Sequence, residues 1–158
     1  GLTKQDLDSS LDLDKRVADL EAKLAALSLP DPTTTGMKEV EITLEQEAKI
    51  HEILEEREEL DELGATFDPW SEIKLGLAAR LTGELDAAIT YFQRAKIEFQ
   101  KNRDREGIAI SLNNLGLIAD TRGDLDEAER LFRESIALKK EVGIPLDDWE
   151  QELDERDD

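Results

Sequence analysis

The sequence has no cysteine, so disulfides and thiolate metal sites are excluded and the redox compartment is left open. It has four prolines and nine glycines. With 39% hydrophobic and 38% charged residues, that scarcity of turn-formers fits a charged-surface helical protein better than a sheet protein. No run of about 18 apolar residues occurs, which excludes a membrane-spanning helix. The chain opens with Thr3, Gln5, Asp6 and Asp8 in place of a basic-then-apolar leader, so the expected location is the cytoplasm. Basic residues are few: 20 Lys and Arg stand against 40 Asp and Glu, a net charge of −20. Phosphate recognition requires clustered Lys and Arg, so nucleic acid and anionic membrane are excluded as partners.

Chemistry-bearing groups are equally sparse. The one histidine, His51, is flanked by Lys49, Ile50 and Glu52, and without cysteine or a second histidine it has no partner for a metal pair. Asp8, Asp12 and Asp14 are not followed by the glycine and glutamate of a calcium loop. Glu55 and Glu59 share a helical spacing, but nothing nearby supplies the apolar pocket that would separate their protonation behaviour. The expectation is therefore no enzyme, no cofactor and no metal.

Charge is unevenly placed. Residues 1–68 carry a net −12, residues 69–146 a net −1 and residues 147–158 a net −7. The acidic flanks read as solvated surface that aids solubility.

Along the chain, Leu13, Val17, Leu20, Leu24 and Leu27 alternate four and three residues apart. That spacing predicts an N-terminal amphipathic helix over 1–27 with a heptad seam, suited to pairing with another helix in a coiled coil or to lying on the rest of the same chain. The stretch 28–42 holds two prolines, three threonines and a glycine, and reads as a linker. Within it, 38–42 alternates like a strand too short to stand alone, so an extended connector is expected. Thr43 followed three residues later by Gln46 forms a capping box ahead of Leu44, Ala48, Ile50, Ile53 and Leu54, predicting a helix over 43–63 that stops near Gly64. Its stretch 52–62 is strongly acidic with Arg57 the lone base, so one face is expected in water.

Sliding the chain by 40 residues aligns 71–92 with 111–132 at ten identical positions of 22, an internal repeat. The matched residues are small, apolar or turn-forming. Gly76 and Gly116 lie inside helical patterns, where glycine costs about 1 kcal/mol relative to alanine, so close approach of a neighbouring helix is the expected offset. Gly83 and Gly123 fall where a helix should stop, and Asp86 and Asp126 open the next one, where a carboxylate favours the helix dipole. Ala88 with Phe92, and Ala128 with Phe132, give a small-then-large contact four residues apart on one face. Each unit therefore reads as two antiparallel helices, repeat one over 69–103 and repeat two over 109–143.

Leu75-Gly76 with Ala88 and Phe92, and Leu115-Gly116 with Ala128 and Phe132, resemble the tetratricopeptide repeat family. The 40-residue period, with Leu112-Asn113-Asn114-Leu115-Gly116 and Gly123-Asp124-Leu125-Asp126, resembles the long-helix variety of kinesin light chains and spindle-orientation adaptors. Two departures stand out: the family's early tryptophan is Glu72 and Leu112 here, and its usual aromatic is Ala79 and Ala119. The resemblance implies an all-α, short right-handed solenoid spanning 43–158. Such arrays commonly hold about three repeats plus caps. The helix from Leu44 is thus expected before the first unit, and a capping helix over 146–155, carrying Leu146, Trp149 and Leu153, after Pro145.

The resemblance further implies a concave groove that binds a peptide or helix of another protein. Its members would be Trp70, Ile73, Lys74, Leu77, Arg80 and Leu81 from the first unit, and Ile110, Asn113, Asn114, Leu117, Asp120 and Thr121 from the second. Asn114 occupies the place of an asparagine that hydrogen-bonds a peptide backbone in the long-repeat relatives, and Lys74 takes the equivalent place one unit earlier. Lys74 and Asn113 are too few for the carboxylate clamp of the chaperone-tail-binding subgroup. The alternative is a homo-oligomer, with the seam from Leu13 to Leu27 joining subunits or the N-terminal helix occupying the groove.

Overall fold

The computed structural model describes residues 3–31 and 41–156. Among them are seven α-helices and no strand. Residues 32–40, most of the expected linker, lie outside the described residues.

Several helices begin where the sequence offers a cap. In α1 (Lys4–Ala26) the Thr3 hydroxyl accepts from the Asp6 amide at 3.1 Å while Asp6 accepts from the Thr3 amide at 3.0 Å, which starts the helix at Lys4. Thr43 and Gln46 make the same reciprocal pair at the head of α2 (Leu44–Glu62), at 3.0 and 2.9 Å. Two such satisfied amides remove part of the cost of an open helix end. The apolar face of α2 is Ile50, Ile53, Leu54 and Leu60; Leu44 and Ala48, counted towards it from sequence, are exposed.

The third helix, α3 (Pro69–Leu81), is capped by Asp68 and has Pro69 in its first turn. Proline fixes its own φ and disfavours helix in the residue before it. Consequently α3 has 13 residues where its repeat partner α5 (Arg105–Thr121) has 17. The second helices of these units are α4 (Leu85–Lys101) and α6 (Leu125–Val142), and α7 (Asp148–Glu155) closes the array beyond Pro145.

The hairpin turns share one device. The amide of Glu84 donates to Ala79 O, Asp104 to Phe99 O, Asp124 to Ala119 O and Ile144 to Lys139 O, each at 2.9 Å, and Ala65 donates to Leu60 O at 3.0 Å. This six-to-one bond needs a left-handed residue just past the helix. Gly83 (φ 80°) and Gly123 (φ 81°) supply it, whereas α4 ends on Arg103 (φ 56°), which adopts it without glycine's freedom.

Before the first unit, α1 and α2 form a further antiparallel pair. Arg16 meets Glu59 at 3.3 Å, Lys23 meets Glu56 at 3.0 Å, and Gln46 Nε2 donates to Leu27 O at 3.1 Å, so numbers rise on one helix as they fall on the other. The fold is thus an all-α solenoid of helical hairpins, α1/α2, α3/α4 and α5/α6, closed by α7.

Packing is close at the two glycines matched between the repeats. A β-carbon built on Gly76 would lie 2.7 Å from the Phe92 ring, and one on Gly116 would lie 2.6 Å from the Phe132 ring. Both rings are buried, so the missing methyl lets each second helix seat its phenylalanine on the first. The helix α5 is buried along every residue from 111 to 119. At the C-terminal end, Trp149 meets Phe132 edge-on with ring centres 5.1 Å apart, and Lys139 Nζ donates to buried Glu150 at 2.7 Å.

Candidate binding face

The first helices of the hairpins lie side by side, α1 against α3 and α3 against α5. No Cα of α2 comes within 8 Å of one in α4, nor of α4 within 8 Å of α6. A stack whose first helices are closer than its second helices curves towards the first, so α3 and α5 carry the inner face.

On α3, Trp70 is 38% exposed and stands edge-on to Phe99, ring centres 4.9 Å apart. Lys74 is exposed, Arg80 and Leu81 are half-buried, and Ile73 and Leu77 are buried. On α5, Ile110, Asn113, Asn114 and Leu117 are buried, Asp120 is half-buried, and Thr121 is exposed with its hydroxyl donating to Leu117 O at 3.0 Å. Six of the twelve residues expected to line an open groove are therefore covered. The accessible ones are Trp70, Lys74, Arg80, Leu81, Asp120 and Thr121, and they leave α3 as the more open of the two helices.

Hydrogen bonding on this face is incomplete. Asn114 Nδ2 donates to Ile110 O at 2.9 Å within its own helix, but Asn114 Oδ1 and Asn113 Oδ1 are buried with no donor among the described residues. The Arg80 Nε is likewise buried without an acceptor, and burial lowers the affinity of that guanidinium for its proton. Buried polar atoms are ordinarily paired, because an unmade hydrogen bond costs about 1–3 kcal/mol. Two acceptors and one donor are thus left without a partner among the described residues.

The N-terminal seam is placed elsewhere. Leu20, Leu24 and Leu27 are buried in this chain's own core, and Leu13 and Val17 pack partly against it. Glu21 accepts a hydrogen bond from the Ser71 hydroxyl, tying α1 to the head of α3.

One cluster joins residues that the sequence did not bring together. Glu52, Glu55, Glu58, Glu59 and Glu62 form the expected wet face, while Arg57, the lone base of the acidic stretch, is 2% exposed on the opposite side. Its guanidinium bonds Glu72 Oε1 at 2.6 Å and the Asp61 carboxylate, and lies over the Phe67 ring at 4.0 Å. Such contacts offset the loss of hydration. Burial raises the Glu72 carboxyl above its ordinary range, and the nearby Arg57 only partly opposes it. Glu72, standing where the repeat pattern has tryptophan, thus faces an arginine supplied by α2. The signal was its spacing: Arg57 follows Ile53 and Leu54 and precedes Leu60 on the same helical face.

His51 lies exposed between Glu47 at 3.8 Å and Glu84 at 3.6 Å, and no group of acidic or histidine side chains that could hold a metal occurs among the described residues. No helix of the described residues is long and apolar enough to cross a membrane.

Stacked antiparallel hairpins with a glycine-on-phenylalanine contact define a helical-hairpin repeat protein. Residues 68–141, a little under half of the chain, match the tetratricopeptide repeat family. The chain is 30% identical over 76 residues to the mitochondrial tetratricopeptide repeat protein 19 of Danio rerio. That alignment covers 48% of this chain and 19% of the relative, so the chain spans about a fifth of that protein's length. No solved structure matches. Together the two matches support tetratricopeptide repeats in the segment formed by α3 to α6, and repeats of this kind generally mediate contacts between proteins.

Proposed function

We propose that this chain is a protein-binding module that receives a peptide or helix of another protein on the inner face of α3 and α5, and that its repeats are of the long, 40-residue-period variety. The observation that carries the reading is the pair of buried amide oxygens on Asn113 and Asn114, which no donor satisfies among the described residues. A ligand backbone N–H is the group they lack, and the two side chains would turn outward to meet it. Trp70 and Leu81 supply apolar contact area on the accessible helix, and Lys74 and Arg80 add positive charge to it. The seam from Leu13 to Leu27, whose alternative role was joining subunits, contributes Leu20, Leu24 and Leu27 to this chain's own core, which supports a module acting on a different protein. A cytoplasmic setting accords with this reading.

The test is a selection of random-sequence peptides on phage against the whole chain, followed by binding measurements on the winners. Asn114→Ala should weaken them about tenfold, the value of one or two lost hydrogen bonds, while the helical circular dichroism is unchanged. Winners that bind the wild type and Asn114→Ala equally, and are unaffected by Arg80→Ala, would sink the inner-face reading.

A further inference from the structure

On the side of the solenoid away from the inner face, α2 and α4 are separated by a furrow of about 320 Å³. Side chains span it: Arg94 reaches Asp61 at 3.0 Å, and His51 reaches Glu84 at 3.6 Å. Its lining includes Glu55, Glu58, Asp61 and Glu84 against a single guanidinium, that of Arg94. One repeat further on, the equivalent furrow of about 260 Å³ between α4 and α6 has the opposite balance, with Lys96, Arg122 and Arg130 outnumbering the acids. The same architecture thus carries opposite charge in adjacent furrows, so the acidity of the first is not a by-product of the fold.

Two features of the acidic furrow are unresolved within the chain. Glu55 and Glu58, neighbours on one helical face, form no ion pair with any described residue, and their like charges repel. Tyr91, only 7% exposed as a residue, lines the same furrow, and its hydroxyl opens into it without a hydrogen bond to any described residue. Burial, reinforced by Asp61 and Glu72 and opposed by Arg57, pushes Tyr91 up to about 12, so it stays a neutral phenol that can accept a hydrogen bond from a cationic donor.

We propose that the α2–α4 furrow docks a Lys- or Arg-bearing segment of another protein, whose cationic groups meet Glu55 and Glu58 and one of whose N–H groups reaches the Tyr91 hydroxyl. Charge selects the occupant. Nucleic acid and anionic lipid carry the wrong sign, and a second copy of a chain with net charge −20 is repelled at long range. Leu54 and Ala87 give the furrow an apolar floor, so a segment alternating basic and aliphatic residues fits it.

Because Tyr91 is the one tyrosine, 3-fluorotyrosine incorporated into the whole chain places a single reporter at the site. The probe is a synthetic peptide alternating arginine and leucine, with the glutamate-for-arginine peptide as control. The fluorine resonance should shift and saturate with the arginine peptide and stay fixed with the glutamate peptide. By fluorescence anisotropy, the Glu55→Gln/Glu58→Gln variant should bind the arginine peptide about tenfold more weakly, and Tyr91→Phe several-fold more weakly. Asp126→Asn/Glu152→Gln, the same charge change away from the furrow, should cost about twofold or less. Equal losses in the two double variants would reduce the effect to general attraction, a bound peptide with an unmoved resonance would place it elsewhere, and absence of binding at low salt would refute it outright. Since the inner-face variants Asn114→Ala and Arg80→Ala do not touch this furrow, either proposal can fail alone.

Discussion

Arg57 on α2 and Glu72 on α3 meet at 2.6 Å with both side chains withdrawn from water, so the first hairpin is joined to the repeats by a buried ion pair. Removing one partner strands the other. Arg57→Ala should therefore destabilise the fold by about 3–5 kcal/mol, measured by urea unfolding. Replacing both, as Arg57→Met/Glu72→Leu, should restore most of that loss, because an apolar pair needs no hydration. A double variant as unstable as Arg57→Ala would mean that Phe67 and Asp61 hold the arginine for reasons independent of Glu72.

Tyr91 should titrate abnormally. Its ordinary value is 10.0, and in the folded chain burial moves it up to about 12. A group raised on folding contributes stability that is fully present below the unfolded value and is lost as pH rises through the folded one. The window here is pH 10 to about 12. Tyrosinate absorbance should appear near pH 12 in the native protein and near pH 10 in denaturant, and Tyr91→Phe should remove this part of the alkaline loss of stability. A native titration centred at 10 would show that the ring is open to water.

The glycine-on-phenylalanine contacts are tight enough to test by overpacking. Gly116→Ala places a methyl 2.6 Å from the Phe132 ring and should cost about 1–3 kcal/mol despite alanine's better helix propensity. Combining it with Phe132→Leu should recover part of that cost, giving a coupling measurable by a double-mutant cycle in denaturant. Additive losses would show that the ring and the glycine do not constrain one another.

Leu20 and Leu24 are 0% and 3% exposed. Leu20→Glu/Leu24→Glu should unfold the α1/α2 hairpin, since a carboxylate buried without a partner is expensive. Hydrogen exchange across α1 and α2 should rise while α5 and α6 keep their protection, and light scattering should show an unchanged mass. A fall in mass with protection intact would instead assign the seam to self-assembly.

Much of the architecture was readable because its signals are local. Thr43 with Gln46, Asp68 with Pro69, and the glycines at 83 and 123 mark helix ends through contacts a few residues apart, and the repeat at Gly76 and Gly116 announces itself by identity. The inner face was harder. Asn113, Asn114 and Leu117 occupy positions that an open groove would expose, but their burial depends on neighbouring helices that the local spacing does not place. Arg57 was read by its acidic neighbours in sequence, whereas its burial is decided by Glu72, fifteen residues onward and across a turn. Charge composition describes a stretch; it does not say which one of its residues turns inward.

The unbroken burial of α5 from 111 to 119 also bears on the order in which the chain is made. During synthesis residues 69–101 leave the ribosome before the helices that will cover them, and domains generally fold as units once enough chain has emerged. Through that interval α3 and α4 hold apolar surface waiting for α5 and then α6. The 19 acids already present among the first 68 residues accompany that surface, and their mutual repulsion between neighbouring nascent chains would oppose aggregation until the last hairpin closes.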